Sequence, residues 1–200
     1  MSALAVRGWI GPGARRLDVA VAAGDCAEAA VPDPRATLRR VAGLAAPRLW
    51  VRVGADELGR LPAVARARAG LATVDGALPA ARELRVIDAV MAGRPLPGRL
   101  GFLGAFTDAR AKLAQEREAD ARALAGVLGL GPLLEDPVAG LDRRAAAVAD
   151  VARALLAEPR ALVAALPPDE EAAAWLRARL AVEARRRGLP VLLLSRERAG

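Results

Sequence analysis

Chemistry needs particular side chains, and most of them are missing from this sequence. It has no His, which removes Ser-His-Asp and Cys-His catalysis and every zinc site that relies on imidazole. Its only serines, Ser2 and Ser195, stand near the two ends. The single cysteine, Cys26, can form no disulfide within the chain, and a buried, inert thiol is expected there. Carboxylates do occur in groups: Asp56–Glu57, Glu135–Asp136 and Asp169–Glu170–Glu171. Paired carboxylates can divide acid and base work between them. Each of these groups, however, stands in a turn-like or helix-start context, where acids answer the positive end of a helix dipole. A solvated surface is the expectation, with no catalytic residue and no metal site.

The charge balance narrows the partners. Thirty basic residues against 23 acidic ones give a net charge of +7, and only Lys112 among the bases is not Arg. Such a balance can signal nucleic acid or anionic lipid. Here Arg, Ala, Gly and Pro are abundant together, as in GC-biased coding, and the arginines are scattered among Asp and Glu rather than gathered with aromatics. Nucleic acid is therefore not expected as a partner. No apolar run reaches the length of a membrane span, and the first residues lack a basic start followed by an apolar stretch. The expected location is the cytoplasm, with a place on the inner face of the cell membrane as a peripheral variant.

The elements that would position any site follow from periodicity and punctuation. Residues 4–10 and 17–23 alternate around a Gly-Pro-Gly turn and read as an antiparallel pair. Residues 26–31 read as a short buried strand, 35–44 as a helix, 49–53 as a strand, 61–70 as helical and 71–74 as a strand. Residues 76–106 are rich in Gly and Pro, with apolar pieces VIDAVMAG and GFLGAF. A long helix is expected over 108–130, its Glu116 and Glu118 on a solvated face. Over 142–158, Val148, Val151, Ala152, Leu155 and Leu156 make one helical stripe. Residues 161–166 read as a buried strand, 168–187 as a helix with acids first and arginines last, and 188–195 as a buried parallel strand. Strands and helices alternating at both ends predict an α/β sheet flanked by helices, with an N-terminal antiparallel part and a helical insertion.

Taken in order, these pieces resemble the ATPase domain of ATP-binding-cassette (ABC) transporters. VARALLAEPRALVAAL (151–166) is similar to the stretch joining the signature helix to the Walker B strand. AAGDCAEAAVPDPRATLRRVAGL (22–44) resembles the opening strand, phosphate loop and helix. LRVIDAVMAG (84–93) is similar to the start of the family's helical subdomain, and GLPVLLLSRE (188–197) to the strand that carries the switch histidine. The 93–130 segment is nearest to branched-chain amino acid importers. The resemblance implies a P-loop NTPase-like fold for one domain over 1–200, with a helical subdomain at about 76–150. It also implies that the chain stops short of the family's final strand and helices, leaving the sheet uncovered on one side.

The motifs of that family are eroded in this chain. A phosphate loop, G-x-x-x-x-G-K-[ST], aims successive backbone N–H groups at phosphate and adds a Lys. Its counterpart is Val31-Pro32-Asp33-Pro34-Arg35-Ala36-Thr37. Pro32 and Pro34 have no N–H to give, and Asp33 brings negative charge. Arg35 stands near the Lys position with a planar fork instead of a compact ammonium, and Thr37 keeps the hydroxyl that would face a metal. The signature LSGGQ corresponds to Leu141-Asp142-Arg143-Arg144-Ala145, which keeps only Leu. The Walker B acids correspond to Ala165 and Leu166, followed by Pro167; the switch His corresponds to Arg196; and the Q-loop Gln falls at Val74–Asp75. LLEDPVAGLDRRA (133–145) imitates a Walker B stretch. That alignment would put the switch strand too far downstream for one helix and its loops, so the similarity is taken as chance.

The resemblance therefore implies a non-catalytic ABC-ATPase-like protein with a structural or regulatory role beside a membrane transporter. Its partner would be a transporter membrane subunit or an intact ABC ATPase. It would need no cofactor, ATP and Mg²⁺ entering only through residual binding at Arg35 and Thr37. An ATP-binding subunit that still holds nucleotide, and a decayed remnant without function, are the alternatives. Phe102, Leu103 and Phe106, in the Gly/Pro-rich middle segment, are the expected partner contacts, since aromatics anchor interfaces.

Overall fold

The computed structural model describes residues 3–11, 15–47, 49–76, 83–94 and 109–197. The chain divides into two compact units. One comprises Met1–Gly76 and Glu158–Gly200, the other Ala77–Ala157.

In the first unit, β1 (Leu4–Ile10) lies between β2 (Arg15–Val21) and β4 (Trp50–Val53), and the two-residue β5 (Asp56–Glu57) completes an antiparallel sheet. Alternation decides its inner face: Leu4, Val6 and Ile10 of β1, Leu17 and Val21 of β2, and Val51 and Val53 of β4 are all buried. Gly8 is required midway along β1. Its φ is +146°, and a Cβ there would lie 2.5 Å from Leu49 Cδ2. The second sheet is parallel, in the order β3-β8-β7-β6, from β3 (Cys26–Val31), β6 (Leu71–Val74), β7 (Ala161–Ala165) and β8 (Val191–Arg196). Every residue of β7 is buried, as are the first four of β8. Such unbroken apolar runs mark strands covered on both faces.

Helix α1 (Pro34–Val41) puts Leu38 and Val41 into the cluster that joins the inner face of the antiparallel sheet to Val31, Val163, Leu192 and Leu194 of the parallel one. A short α2 (Ala63–Arg68) precedes β6. Helix α6 (Glu170–Arg187) connects β7 to the neighbouring parallel β8 and buries Ala173, Leu176, Leu180 and Ala184. Asp169 caps it, Glu170 and Glu171 open it, and Arg185, Arg186 and Arg187 precede Gly188 at its end, so both ends answer the helix dipole. Among its described residues the second unit holds α3 (Val86–Met91), α4 (Ala109–Val127) and α5 (Arg143–Leu156), with single-turn 3₁₀ pieces at Gly131–Leu133 and Val138–Gly140. The stripe Val148, Val151, Ala152, Leu155 and Leu156 is buried as expected. The Walker B-like stretch 133–145 forms turns and a helix start rather than a strand.

Three local readings need correction, those for β2, for Asp56–Glu57 and for Cys26. Strand β2 runs over 15–21 rather than 17–23, because β1 pairs Leu4 with Val21 and Ile10 with Arg15, leaving Ala22 and Ala23 without a strand partner. VIDAVM is helical, in keeping with the resemblance of 84–93 to the start of a helical subdomain, and its first N–H groups are tied to the Asp136 and Leu134 carbonyls. Asp56 and Glu57 form a strand paired with Val53 and Arg52, not a bare turn. Cys26 is half-buried rather than buried, because β3 is the edge strand of its sheet. Burial, and then the Glu28 carboxylate, raise its thiol pKa, which keeps it protonated and unreactive.

Candidate functional site

The carboxyl ends of β3, β8 and β7 lie side by side, and β3 passes into α1 through Pro32 and Asp33. In a parallel sheet this is the end where ligands bind. A helix start there offers unpaired N–H groups and a positive dipole to an anion. Here the chain supplies that anion itself. Asp33 is extended (φ −137°, ψ 103°), its Oδ1 accepts the Ala36 N–H at 3.0 Å, and its carbonyl accepts the Thr37 N–H at 3.0 Å. Pro34 occupies the first helical position, where its missing N–H costs nothing to the helix but gives nothing to a phosphate. Pro32 lies against the end of the first strand, 3.0 Å from where a Cβ on Gly11 would stand.

The remaining loop residues are placed as follows. Arg35 donates to the Asp75 carbonyl at 3.4 Å, a long contact between α1 and the segment after β6. Thr37 is buried, with 4% of its surface exposed. Ala165 ends β7 and Leu166 follows it, both buried and apolar, and the Leu166 N–H is taken by the Leu194 carbonyl at 2.8 Å. Arg196 ends β8, exposed, and the next residue, Glu197, gives its N–H to the Val31 carbonyl. Among the described residues no three Cys, Asp or Glu side chains converge as metal ligands.

The signature-like segment belongs to the other unit and has the same local design. Asp142 is the N-cap of α5 and accepts the Ala145 N–H at 2.7 Å, with Arg143 and Arg144 exposed in the first turn and Leu141 half-buried. Phe102, Leu103 and Phe106 lie outside the described residues.

On the α6 side of the same strand ends is a cleft of 450 Å³, which the sequence reading did not anticipate. Arg177 of α6 spans it, donating to both Glu28 oxygens (2.9 and 3.3 Å) and to Glu170 (3.0 Å). Burial pushes the Glu28 pKa up, but hydrogen bonds from Arg177 and Ser195 outweigh it, and the net shift is downward. A carboxylate held below its ordinary range is a poor base toward Ser195, so the group is an ion-paired brace rather than a nucleophile and its activator. Its only sequence signal was a lone Glu in an apolar strand, which named no partner.

No family model matches the chain, and no curated protein does. Its fold does have solved counterparts. A nucleotide-free ATP-binding cassette from an ABC transporter superposes with a TM-score of 0.71 at 15% identity, over 99% of this chain and 82% of that one. The ADP conformation of MJ1267, another such cassette, gives 0.73 at 16% identity, over 100% and 83%. CbiO1 from Clostridium perfringens, part of the transporter complex CbiONQ, gives 0.69 at 13%, over 98% and 79%. The chain thus has the fold of the ATP-binding cassettes of ABC transporters. Among its described residues no helix is long and apolar enough to cross a membrane.

Proposed function

We propose that this protein is a cassette-fold subunit that acts by contact within an ABC-transporter assembly and does not turn over ATP. The observation that carries this reading is the Asp33 carboxylate seated on the N-terminus of α1. A phosphate there would meet a like charge, and the two flanking prolines have no N–H groups to attract it. The apolar end of β7 at Ala165 and Leu166 supports the same reading, because Mg²⁺ and the attacking water need carboxylates at such a strand end. So does the Asp142 cap on the signature-like helix. The partner in this reading is a transporter membrane subunit or an intact ABC ATPase on the cytoplasmic face, by analogy with CbiO1 in its complex. The 93–130 resemblance favours the branched-chain amino acid importer type.

A second reading, a subunit that still binds ATP, is favoured by the similarity to ATP-binding cassettes and by Arg35 and Thr37 at the loop. Calorimetric titration of the purified chain with ATP and Mg²⁺, beside an intact cassette, separates the two. The expected result is no saturable heat at micromolar ATP and no phosphate release above a heat-killed sample. A micromolar Kd, about −8 kcal/mol, would establish the second reading, and turnover that survives further purification would overturn the first. Asp33→Ala is expected to lose about 1 kcal/mol of stability with its cap. In the first reading it is also expected to gain thermal stabilisation by inorganic phosphate that the unaltered chain lacks.

A further inference from the structure

The antiparallel sheet has a second face, opposite its buried one. Strand pairing puts Asp18, Arg7 and Trp50 in one row across β2, β1 and β4, and Arg16 and Trp9 in the next row. Two of the three tryptophans in the chain thus share one face. Trp9 is 63% exposed. The Arg7 guanidinium stands 5.3 Å from the Trp50 ring centroid, and its Nε is 2.8 Å from Asp18, which also meets Arg16 at 3.1 Å. Arg40 of α1 donates to the main-chain carbonyls of Trp9 and Pro47 at the edge of the sheet. The sequence suggested that arginines and aromatics lie apart; the fold brings them together.

We propose that this face binds single-stranded nucleic acid, with bases stacking on Trp9 and Trp50 and phosphates drawn by Arg7 and Arg16. The chemistry of the face selects this occupant. Diagonal neighbours on adjacent strands lie about 7–8 Å apart, a separation at which two splayed bases can stack. Aromatic rings flanked by guanidiniums are what sequence-tolerant single-strand binding uses. Across these rows Arg7, Arg16 and Arg52 stand against Asp18 and Glu57, which leaves an excess of positive charge for a polyanion. An anionic membrane fits less well. Ala5 and Ala20 are the only aliphatic side chains in line with the tryptophans, which leaves little to insert beside them. The inference is independent of the vestigial phosphate loop and does not require ATP to bind.

The test uses the full chain and a fluorescein-labelled oligo-dT of about 12 nucleotides, within the site sizes of single-strand binders. At near-physiological salt we expect saturable anisotropy with quenched tryptophan emission. Trp9→Ala, at an exposed position, is expected to keep its melting temperature and to weaken binding about tenfold or more. Arg16→Glu should weaken binding and flatten its salt dependence, while Trp175→Phe on α6 should leave it unchanged. No saturable binding overturns the proposal. So does an affinity that Trp9→Ala does not alter, or full competition by heparin at equal charge, since either reduces the effect to net charge. Binding to phosphatidylserine vesicles without binding to the oligonucleotide would assign the face to membrane instead. Mononucleotide ATP competing at the oligonucleotide's own affinity would reduce the face to a nucleotide site.

Discussion

Arg66 offers the sharpest test of how this fold is held. It is 1% exposed and is surrounded by main-chain carbonyls. Nε donates to Leu61 at 3.0 Å, Nη2 to Gly59 at 2.8 Å and to Leu49 at 3.3 Å, and Nη1 to Val41 and, at 3.4 Å, to Arg40. It therefore closes the C-terminal end of α1 and ties it to the segments on either side of β4. Replacing it by Met keeps the stem and removes every donor. Three of these bonds are well formed, and a bond from a charged donor contributes about 1.5–3 kcal/mol. Relief of the guanidinium's own desolvation offsets part of that sum, and removing one side of a buried charged contact costs about 3–5 kcal/mol. For a chain of this size that is a fall in Tm of about 6–20 °C. Thermal unfolding followed by circular dichroism measures it, with the exposed Arg68→Met on the same helix as control. If Arg66→Met melts within a few degrees of Arg68→Met, the carbonyl cluster is solvated in solution and the reasoning fails.

Two further outcomes are expected. At Gly93 a Cβ would lie 1.9 Å from the Arg153 carbonyl oxygen and 2.8 Å from its carbon, so Gly93→Ala must push α3 from α5 and should cost about 1–3 kcal/mol or more; an unchanged thermal midpoint would contradict the contact. Glu28, with its pKa lowered on balance, stabilises the fold above the ordinary Glu range, and that contribution disappears as pH falls through its depressed value. In Arg177→Met the opposing burial is left uncompensated, so acid unfolding should begin at higher pH, and coincident acid titrations of the two proteins would show that Arg177 does not hold Glu28.

What the sequence disclosed about the fold, and what it did not, follows from the range of the forces involved. Strand β3 at 26–31 and strand β6 at 71–74 agree with the readings because apolar runs between turn residues are local signals. Helix α6 was legible from its charge order alone. Arg66 was not, because its carbonyl partners lie between 5 and 26 residues away and no spacing rule connects them. Helix α3, of six residues, is too short to show a period, and it is specified by the Asp136 and Leu134 carbonyls that receive its first N–H groups. The face carrying Trp9 and Trp50 was hidden for a related reason. Trp50 joins Arg7 only through strand register, and composition made the arginines look dispersed.

The candidate site shows that this fold does not depend on residues that contact a phosphate. The features that specify the cassette architecture here are alternation on β1 and β2, the apolar runs of β7 and β8, and capped helix starts. None of them needs a residue that contacts a phosphate. At Asp33 the two demands oppose each other directly. A helix beginning at the end of a buried strand must satisfy its first N–H groups, either with a bound anion or with a side chain. Asp33 satisfies one of them permanently at Ala36, and Pro34 pre-forms the first turn. Each makes the helix start more stable in the empty protein and less able to hold phosphate. Asp142 on α5 repeats the substitution at the signature-like segment. Both the loop-like and the signature-like helix starts are thus capped by the chain's own carboxylates. In the proposed non-catalytic reading, contact with other molecules falls to surfaces that remain open, among them the tryptophan-bearing face of the antiparallel sheet.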